Sequence, residues 1–443
     1  MLNWIWLALV VLAVAIGGWN NRLGEVTSGA FDGAKTAVTI ALGLIGIMAL
    51  WLGVMRLAER AGLVQRIARV LHPFMRRLFP DVPPDHPAMG SMLMNMAANM
   101  LGLGNAATPL GLRAMRDLEQ LNPRPTVASN AMCTFLAINT ASVQLIPATA
   151  IALLASAGST RPTAIVGTAL LATLCAATVA IASAKLLEKL PFFRLRDSIP
   201  LPPKTDLAGR ESVEPAVENN VIAIEPRGWR RILPFLLVLF FLGLFVRLVF
   251  PTWFGFPADP NAATQNTFVR CVNIISILAI PFLLSFFPVY AATRRIKVYE
   301  EFVEGAKEGF GVILKIIPFL VTMLVGIGMF KGAGGIDLLT RLLTPVLTPL
   351  HFPPDLLPLA LMRPLSGSAT LALLTDIIHR LGPDNIVSLM AATIYGSTET
   401  TFYVAAVYFG SVNIKQTRHA IPAGLLGDLA GVIASVIICR AVF

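Results

Sequence analysis

The sequence predicts an all-α polytopic membrane protein made of two inverted-topology repeats, each with a re-entrant or broken helical hairpin. Three observations lead there. Of the 443 residues, 56% are apolar and only 14% charged, where a soluble protein carries about 25%, and mean hydropathy is +0.72. Apolar runs of about twenty residues recur from end to end, each long enough to cross a hydrocarbon core roughly 30 Å thick. The second half of the chain also repeats the pattern of the first, which marks an internal duplication.

Composition excludes collagen, disorder and a disulfide scaffold. The formal charge of +10 does not point to nucleic acid, because the basic residues sit at the ends of apolar runs, where they set topology. Cys133, Cys175, Cys271 and Cys439 lie inside apolar stretches without C-x-x-C spacing. They are expected to pack rather than to pair or bind zinc.

Nine spans are expected, at about 2–18, 36–58, 126–152, 162–187, 232–250, 269–291, 309–330, 386–409 and 418–441. The first contains Ala13-Val14-Ala15, which has the look of a signal-peptide cleavage site, but no Lys or Arg precedes it; it is read as an uncleaved helix. Segments 62–79 and 335–350 are amphipathic and too short or too charged to span, so both are expected to lie in the interfaces. Segments 88–117 and 355–381 are apolar but interrupted, by Gly102-Leu103-Gly104-Asn105-Ala106-Ala107-Thr108-Pro109 and by Pro364-Leu365-Ser366-Gly367-Ser368-Ala369-Thr370. Backbone freed by such breaks needs partners in protein or in a wet cavity. Both are therefore read as re-entrant hairpins, with ordinary spans kinked at glycine as the alternative. Residues 190–231 have the charged, Pro-containing composition of a cytoplasmic linker,. The expected organisation is an N-terminal helix (1–30), a first repeat (31–189), the linker (190–231), two connecting helices (232–300) and a second repeat (301–443).

At a constant offset of 272, Gly33-Ala34-Lys35 fall on Gly305-Ala306-Lys307, Ala61-Gly62 on Ala333-Gly334, and Arg69 and Pro73 on Arg341 and Pro345. Further on, Val82-Pro83-Pro84-Asp85 faces Phe352-Pro353-Pro354-Asp355, Ala107-Thr108 faces Ala369-Thr370, and Gly167 faces Gly424. The first repeat crosses three times besides its hairpin, and two helices separate it from the second. The second repeat thus begins on the opposite face, and the halves are inverted. Charge agrees. Arg56, Arg60, Arg66, Arg69, Arg76 and Arg77 cluster after the second span, while 251–268 contain no Lys or Arg. The expected location is the bacterial cytoplasmic membrane, with the N-terminus cytoplasmic and the C-terminus external.

Inverted repeats with broken helices place transporter sites near the bilayer midplane, where half-helix ends supply dipoles. Around the first break the candidate contacts are Asn95, Asn99, Asn105 and Thr108, with Asn95 and Asn99 on one helical face,. Around the second they are Ser366, Ser368 and Thr370. All are neutral groups, suited to a hydroxylated or amide-bearing ligand, or else to interhelical hydrogen bonding. The next stretch, Tyr395-Gly396-Ser397-Thr398-Glu399-Thr400-Thr401, is a polar interruption of an apolar run. An intramembrane carboxylate is costly and therefore a functional candidate. Ser397, Thr398, Glu399 and Thr400 join the candidate substrate site, as do Asn139 and Thr140, the latter opposite Glu399 in the first repeat. Glu399 and Asp428, the second carboxylate with no basic residue within a helical turn, are the candidates for a coupling ion or proton. Asp376 is expected to pair with Arg380 four residues on,, and Arg363 to be either its other partner or an anion contact.

The run Met94-Asn95-Met96-Ala97-Ala98-Asn99-Met100-Leu101-Gly102-Leu103-Gly104-Asn105 in the first half resembles spore maturation protein A. In the second half, Arg363-Pro364-Leu365-Ser366-Gly367-Ser368-Ala369 and Tyr395-Gly396-Ser397-Thr398-Glu399-Thr400 resemble spore maturation protein B. The chain looks like a fusion of the two, both from the nucleoside-recognition, or Gate-domain, group. Gly396-Ser397-Thr398-Glu399-Thr400 is similar to the G-Q-T-E-S signature of concentrative nucleoside carriers, with Ser397 where that signature has Gln. The resemblance implies that Glu399 contacts a ligand and that the protein serves the cell envelope.

The leading expectation is a secondary transporter or flippase-like carrier of a small-molecule or lipid-linked substrate. The alternative is a non-transporting envelope scaffold that recruits cell-wall enzymes. The lipid bilayer is a partner in both, and self-association through 232–250 and 269–291 is a further expectation. No cofactor is implied. No enzyme is expected: no H-E-x-x-H, no G-x-G-D and no P-loop occurs,.

Overall fold

The structure, a computed structural model, describes residues 2–102, 104–193, 232–254, 267–335, 338 and 352–443. Among them the chain is helical throughout and contains no strand, apart from one isolated bridge between Val127 and Gln416. In the first half, α1 (Leu2–Trp19) and the long α2 (Leu23–Arg60) precede α3 (Leu63–Leu78), the helix pair α4 (Pro87–Met100) and α5 (Gly104–Gln120), then α6 (Asn130–Ala141), α7 (Ala148–Ser156) and α8 (Ile165–Leu187). Two helices follow, α9 (Ile232–Val249) and α10 (Thr267–Thr293). The second half runs through the long α11 (Val298–Gly332), then the pair α12 (Leu357–Met362) and α13 (Gly367–Leu381), followed by α14 (Ile386–Ser397), α15 (Thr401–Ser411) and α16 (Ala420–Val442). This is a polytopic all-α membrane protein. Among the described helices, α2, α8, α9, α10 and α16 are long and apolar enough to cross a membrane.

Local chemistry fixes the starts of the shorter helices. Ser129 caps α6 by accepting from the Met132 N–H at 3.2 Å, Asn385 caps α14 through the Val387 N–H at 2.9 Å, and Ser366 caps α13 through the Ala369 N–H at 3.2 Å,. α3 is amphipathic as expected for 62–79. Val64, Ala68, Met75 and Leu78 are buried, while Arg66, Arg69, Arg76 and Arg77 are exposed. Its expected counterpart, 335–350, lies almost entirely outside the described residues, as does most of the linker.

Two expected spans are corrected. The run 126–152 is not one helix but α6 and α7, separated by 142–147, and 386–409 is α14 and α15, separated by Thr398, Glu399 and Thr400. In the first, Ser142 adopts a left-handed φ of 37° and Pro147 precedes α7. In the second, Thr398 turns extended at φ −141° and ψ 169°. The hairpins, in contrast, break where the sequence marks them, with Gly102 at φ 74°.

The most extensive helix contact joins α2 to α11. It is a backbone-on-backbone approach. A Cβ on Gly29 would strike the carbonyl of Gly328, and a Cβ on Gly328 the carbonyl of Gly29. Both residues belong to G-x-x-x-G pairs, Gly29 with Gly33 and Gly328 with Gly332, a pattern that lets membrane helices approach closely. Gly33 meets Leu324 and Gly332 meets Glu25, so the two helices run antiparallel. α8 and α16 are antiparallel too, with Ala180 against Gly427 and Ala176 against Gly431. α9 and α10 stand at the edge of this body: α9 leaves Phe235, Leu236, Leu239 and Phe240 exposed.

Loops tie the halves together at both ends of the broken helices. The Lys415 and Gln416 N–H groups donate to the Thr126 carbonyl at 2.8 and 3.0 Å. At the other end Asp384 accepts from Ser159 Oγ at 2.6 Å and from the Thr160 N–H and Oγ1 at 3.0 and 2.7 Å. The Ser159 hydroxyl and the Thr160 amide hold the Asp384 carboxyl below its ordinary range,.

Gly328→Val should lower the melting temperature of the detergent-purified protein, because overpacking of a closed contact costs about 1–3 kcal/mol. Gly311→Val, on the same helix with open space around its Cβ position, should leave it unchanged.

Candidate functional site

Both breaks face each other, and their backbones are joined. The Glu399 N–H, at the α14–α15 break, donates to the Thr140 carbonyl near the end of α6 at 2.7 Å. Each break also reaches its own hairpin. The Leu145 N–H donates to the Met100 carbonyl at 3.0 Å, and the Phe402 N–H to the Pro364 carbonyl at 3.0 Å. Helix ends that would otherwise carry unsatisfied groups in an apolar body are thereby paired.

Around this crossing lies a neutral face from the first half. Asn99 Nδ2 donates to Asn139 Oδ1 at 2.9 Å, and Asn139 Nδ2 to the Phe135 carbonyl at 2.9 Å. Tyr408 from α15 donates to Asn139 Oδ1 at 3.4 Å, and Asn95 Nδ2 approaches both the Ala107 carbonyl, at 2.8 Å, and the Tyr408 hydroxyl, at 3.3 Å. Asn95 Oδ1 is buried without a hydrogen bond. Gln144 completes the face, with Nε2 3.4 Å from Glu399 Oε1 and from Ser142 Oγ.

The second half supplies all the charge. Arg363, in the α12–α13 turn, is 3% exposed; its Nη2 lies 3.9 Å from Glu399 Oε2, whose side chain is 40% exposed. The same Nη2 donates to the Tyr395 carbonyl at 2.9 Å, and the guanidinium sits 4.8 Å over the Tyr395 ring, a cation–π placement. Arg363 is therefore the partner of Glu399 and not of Asp376, which pairs with Arg380 at 3.0 Å as expected and approaches Lys331 at 3.9 Å. Asp428 is buried in α16 and accepts from Thr401 Oγ1 at 2.6 Å.

Several candidate hydroxyls are committed to their own helices. Thr140 Oγ1 donates to the Ala137 carbonyl, Thr370 Oγ1 to the Ser366 carbonyl and Ser397 Oγ to the Ile394 carbonyl. Ser366 and Ser368 contact each other at 3.2 Å. Thr400 is buried against Gly367, and Thr398 is buried with Oγ1 unpaired. Thr108 is half-buried on α5, and the Asn105 side chain lies outside what the structure describes.

Residues 41–157 and 313–415 match the Gate family model, described as nucleoside recognition. Spore maturation protein A of Bacillus subtilis (strain 168) is 48% identical over 181 residues, covering 41% of this chain and 92% of that protein. Spore maturation protein B of the same organism is 43% identical over 175 residues, covering 40% of this chain and 98% of that protein. The chain belongs to the Gate family. No solved structure matches it. Each Gate segment spans a hairpin and the broken helix after it, so the crossing joins two Gate domains in one chain.

Three residues of the Gate crossing escape a reading based on polar breaks alone: Gln144, Tyr408 and Ser435, the last 3.3 Å from Ser397 Oγ. Gln144, three residues before Pro147 in an apolar run, carried a usable signal. Tyr408 and Ser435 carried none, since neither lies in a polar interruption of its apolar run.

Asn139→Leu removes the acceptor of two donors, Asn99 and Tyr408. It should destabilise the purified protein by about 1–3 kcal/mol, the cost of leaving buried groups unsatisfied. Tyr408→Phe should cost less, because Asn139 then keeps Asn99. Thermal unfolding of both variants checks the order.

Proposed function

We propose that this Gate-family protein is a secondary or flippase-like carrier of a small polar or envelope-related substrate, held where the two broken helices cross. Glu399 carries the reading. Its carboxylate is 40% exposed at a position whose flanking residues Thr398 and Thr400 are buried, so an acceptor for ligand hydroxyl or amide protons is presented from inside the helix bundle. The neutral face of Asn99, Asn139 and Gln144 supplies both donors and acceptors opposite it. The antiparallel courses of α2 with α11 and of α8 with α16 support an inverted relation between the halves, the architecture that lets a carrier alternate access around a fixed site. Glu399 contacts the substrate, and Asp428, shielded behind it, takes the coupling ion or proton.

Nucleosides head the list of substrates to try, given the family description, followed by cell-wall precursors, given the relatives named for spore maturation. In proteoliposomes the wild type should take up one of these and Glu399→Gln should not. The same ligand should raise the melting temperature of the wild type alone, by an amount that grows with its concentration over Kd. A Glu399→Gln chain that fully restores the phenotype of a deletion strain would reject the carrier in favour of a scaffold that recruits cell-wall enzymes.

From the arginines at and after the end of α2, we infer that this end faces the cytoplasm of a bacterial cell, with the N-terminus on the same side and the C-terminus outside. Alkaline phosphatase fused after Phe443 should be active and green fluorescent protein fused there dark; a fluorescent fusion would reverse the orientation.

A further inference from the structure

We propose that the junction of α3 with the end of α10 binds the phosphate of an anionic glycerophospholipid, held by Arg66, Arg69 and Arg294 around the Tyr290 hydroxyl. The site shares no residue with the Gate crossing and does not rest on the carrier reading.

α2 ends at Arg60, and Gly62, at a left-handed φ of 72°, turns the chain into α3. Leu57 and Ala61 before that turn and Leu63 after it form one cluster with Tyr290, near the end of α10. The turn brings Arg66 over the Tyr290 ring, 5.3 Å from its centroid, and Arg294, just past α10, reaches the same ring at 4.7 Å. A ring attracts one cation, but a second guanidinium gathered at the same ring repels the first. Tyr290 is 4% exposed, and its hydroxyl has no hydrogen bond. The charged groups acting on that hydroxyl are Arg294, Arg66 and Arg69, all positive. The acids at this end of the bundle are engaged elsewhere. Glu301 lies 2.9 Å from Arg56 and 3.4 Å from Arg60, Glu308 lies 2.7 Å from Arg56, and Glu59 faces Arg56, Arg60 and Glu308. Among the described residues no ion pair includes Arg66 or Arg69. A phosphate completes such a cluster, because its oxygens pair with guanidinium forks and also accept from a phenol.

Apolar surroundings decide which phosphate. Val70 and Phe74, 76% and 52% exposed, follow Arg66 at four-residue steps and so share its face of α3 with Arg69 and Arg77,. Large apolar side chains between arginines suit a helix whose stems lie against acyl chains while its charges reach headgroups. From Tyr290 a row of stacked rings runs along α10 through Phe286 and Phe282, with centroids 5.6 and 5.0 Å apart, and on to Phe241 of α9 at 5.3 Å. That row gives a lipid chain an apolar track leading away from the arginines. A free phosphate ion would use neither the track nor the exposed Val70 and Phe74.

The test is the melting temperature of the full-length protein, purified free of lipid in an uncharged detergent and titrated with phosphatidylglycerol, with phosphatidylcholine or with inorganic phosphate. Phosphatidylglycerol should raise it saturably, and the other two should not. Tyr290→Phe keeps the ring and removes only the hydroxyl, so it should need about tenfold more phosphatidylglycerol, as for loss of a hydrogen bond to a charged group. Arg66→Gln, at an exposed position, should need about fivefold more. Arg76→Gln, the same charge change on the same helix, should leave the midpoint where it is. Absence of a phosphatidylglycerol shift overturns the proposal. An equal shift with phosphatidylcholine also overturns it, since any lipid then fills the detergent shell, and so does an equal loss in Arg76→Gln, which would mean diffuse attraction to a basic helix. A shift of the same size with inorganic phosphate rejects the lipid as the source of the anion. If Tyr290→Phe does not fold, an unchanged midpoint in Arg66→Gln overturns the site instead.

Discussion

A helix broken inside an apolar body exposes amides and carbonyls that lipid cannot satisfy, and the Gate crossing is arranged around that requirement. The Glu399 amide finds the Thr140 carbonyl, the Leu145 amide finds Met100, and the Phe402 amide finds Pro364. Two of these bonds stay within a half, each linking a break to its own hairpin in the same way. The third crosses between halves. The Glu399 amide and the Thr140 carbonyl are paired only across the halves, so the two breaks form one crossing rather than two independent modules. The side chains at the crossing inherit their positions from this backbone pairing: Glu399 is placed beside Gln144 because its amide is bonded next to it in the chain fold, two residues beyond the left-handed turn at Ser142.

The rest of the bundle holds the two halves in register. Glycine contacts set the spacing of α2 and α11, where side chains would push the backbones apart. Alanine and glycine do the same for α8 and α16, with Thr168 and Thr393 hydrogen-bonded at 3.0 Å across the α8–α14 contact. Small residues supply close dispersion contacts in a setting where lipid is as apolar as the protein. At the ends, the loop before α6 meets the loop before α16, and the loop before α8 meets the loop before α14. Each half lends one loop of each kind, an exchange expected when two related units pack about a pseudo-two-fold axis.

The sequence patterns legible from the outset were those with a strong local cause. Apolar runs revealed the long helices, and Gly102 and the Pro364-to-Gly367 stretch revealed the hairpin turns. The break in 126–152 was signalled only by Pro147,, because its turn uses Ser142 in a left-handed conformation and not glycine, and Ser there reads as an ordinary small polar residue. α2 begins at Leu23 and not near 36 because nothing between them stops a helix. Glu399 was legible as a lone carboxylate in an apolar run. Its partner Arg363 lies 36 residues away in the chain, and no local spacing links the two. Asn139 was found by aligning the halves, whereas Tyr408, which closes the same network, lies outside the polar interruption that drew attention to Glu399.

Duplication usually yields two equivalent half-sites, yet here the halves differ in kind. The first contributes amides, Asn95, Asn99, Asn139 and Gln144; the second contributes Arg363, Glu399 and Asp428. Amides both donate and accept, whereas a carboxylate only accepts and a guanidinium only donates. The two carboxylates also differ in access. Glu399 is within reach of solvent, and Asp428 is sealed behind Thr401 with little exposed area. Unequal chemistry thus puts the two carboxylates of one crossing in different surroundings: Glu399 is open and beside the amide of Gln144, and Asp428 is enclosed behind Thr401.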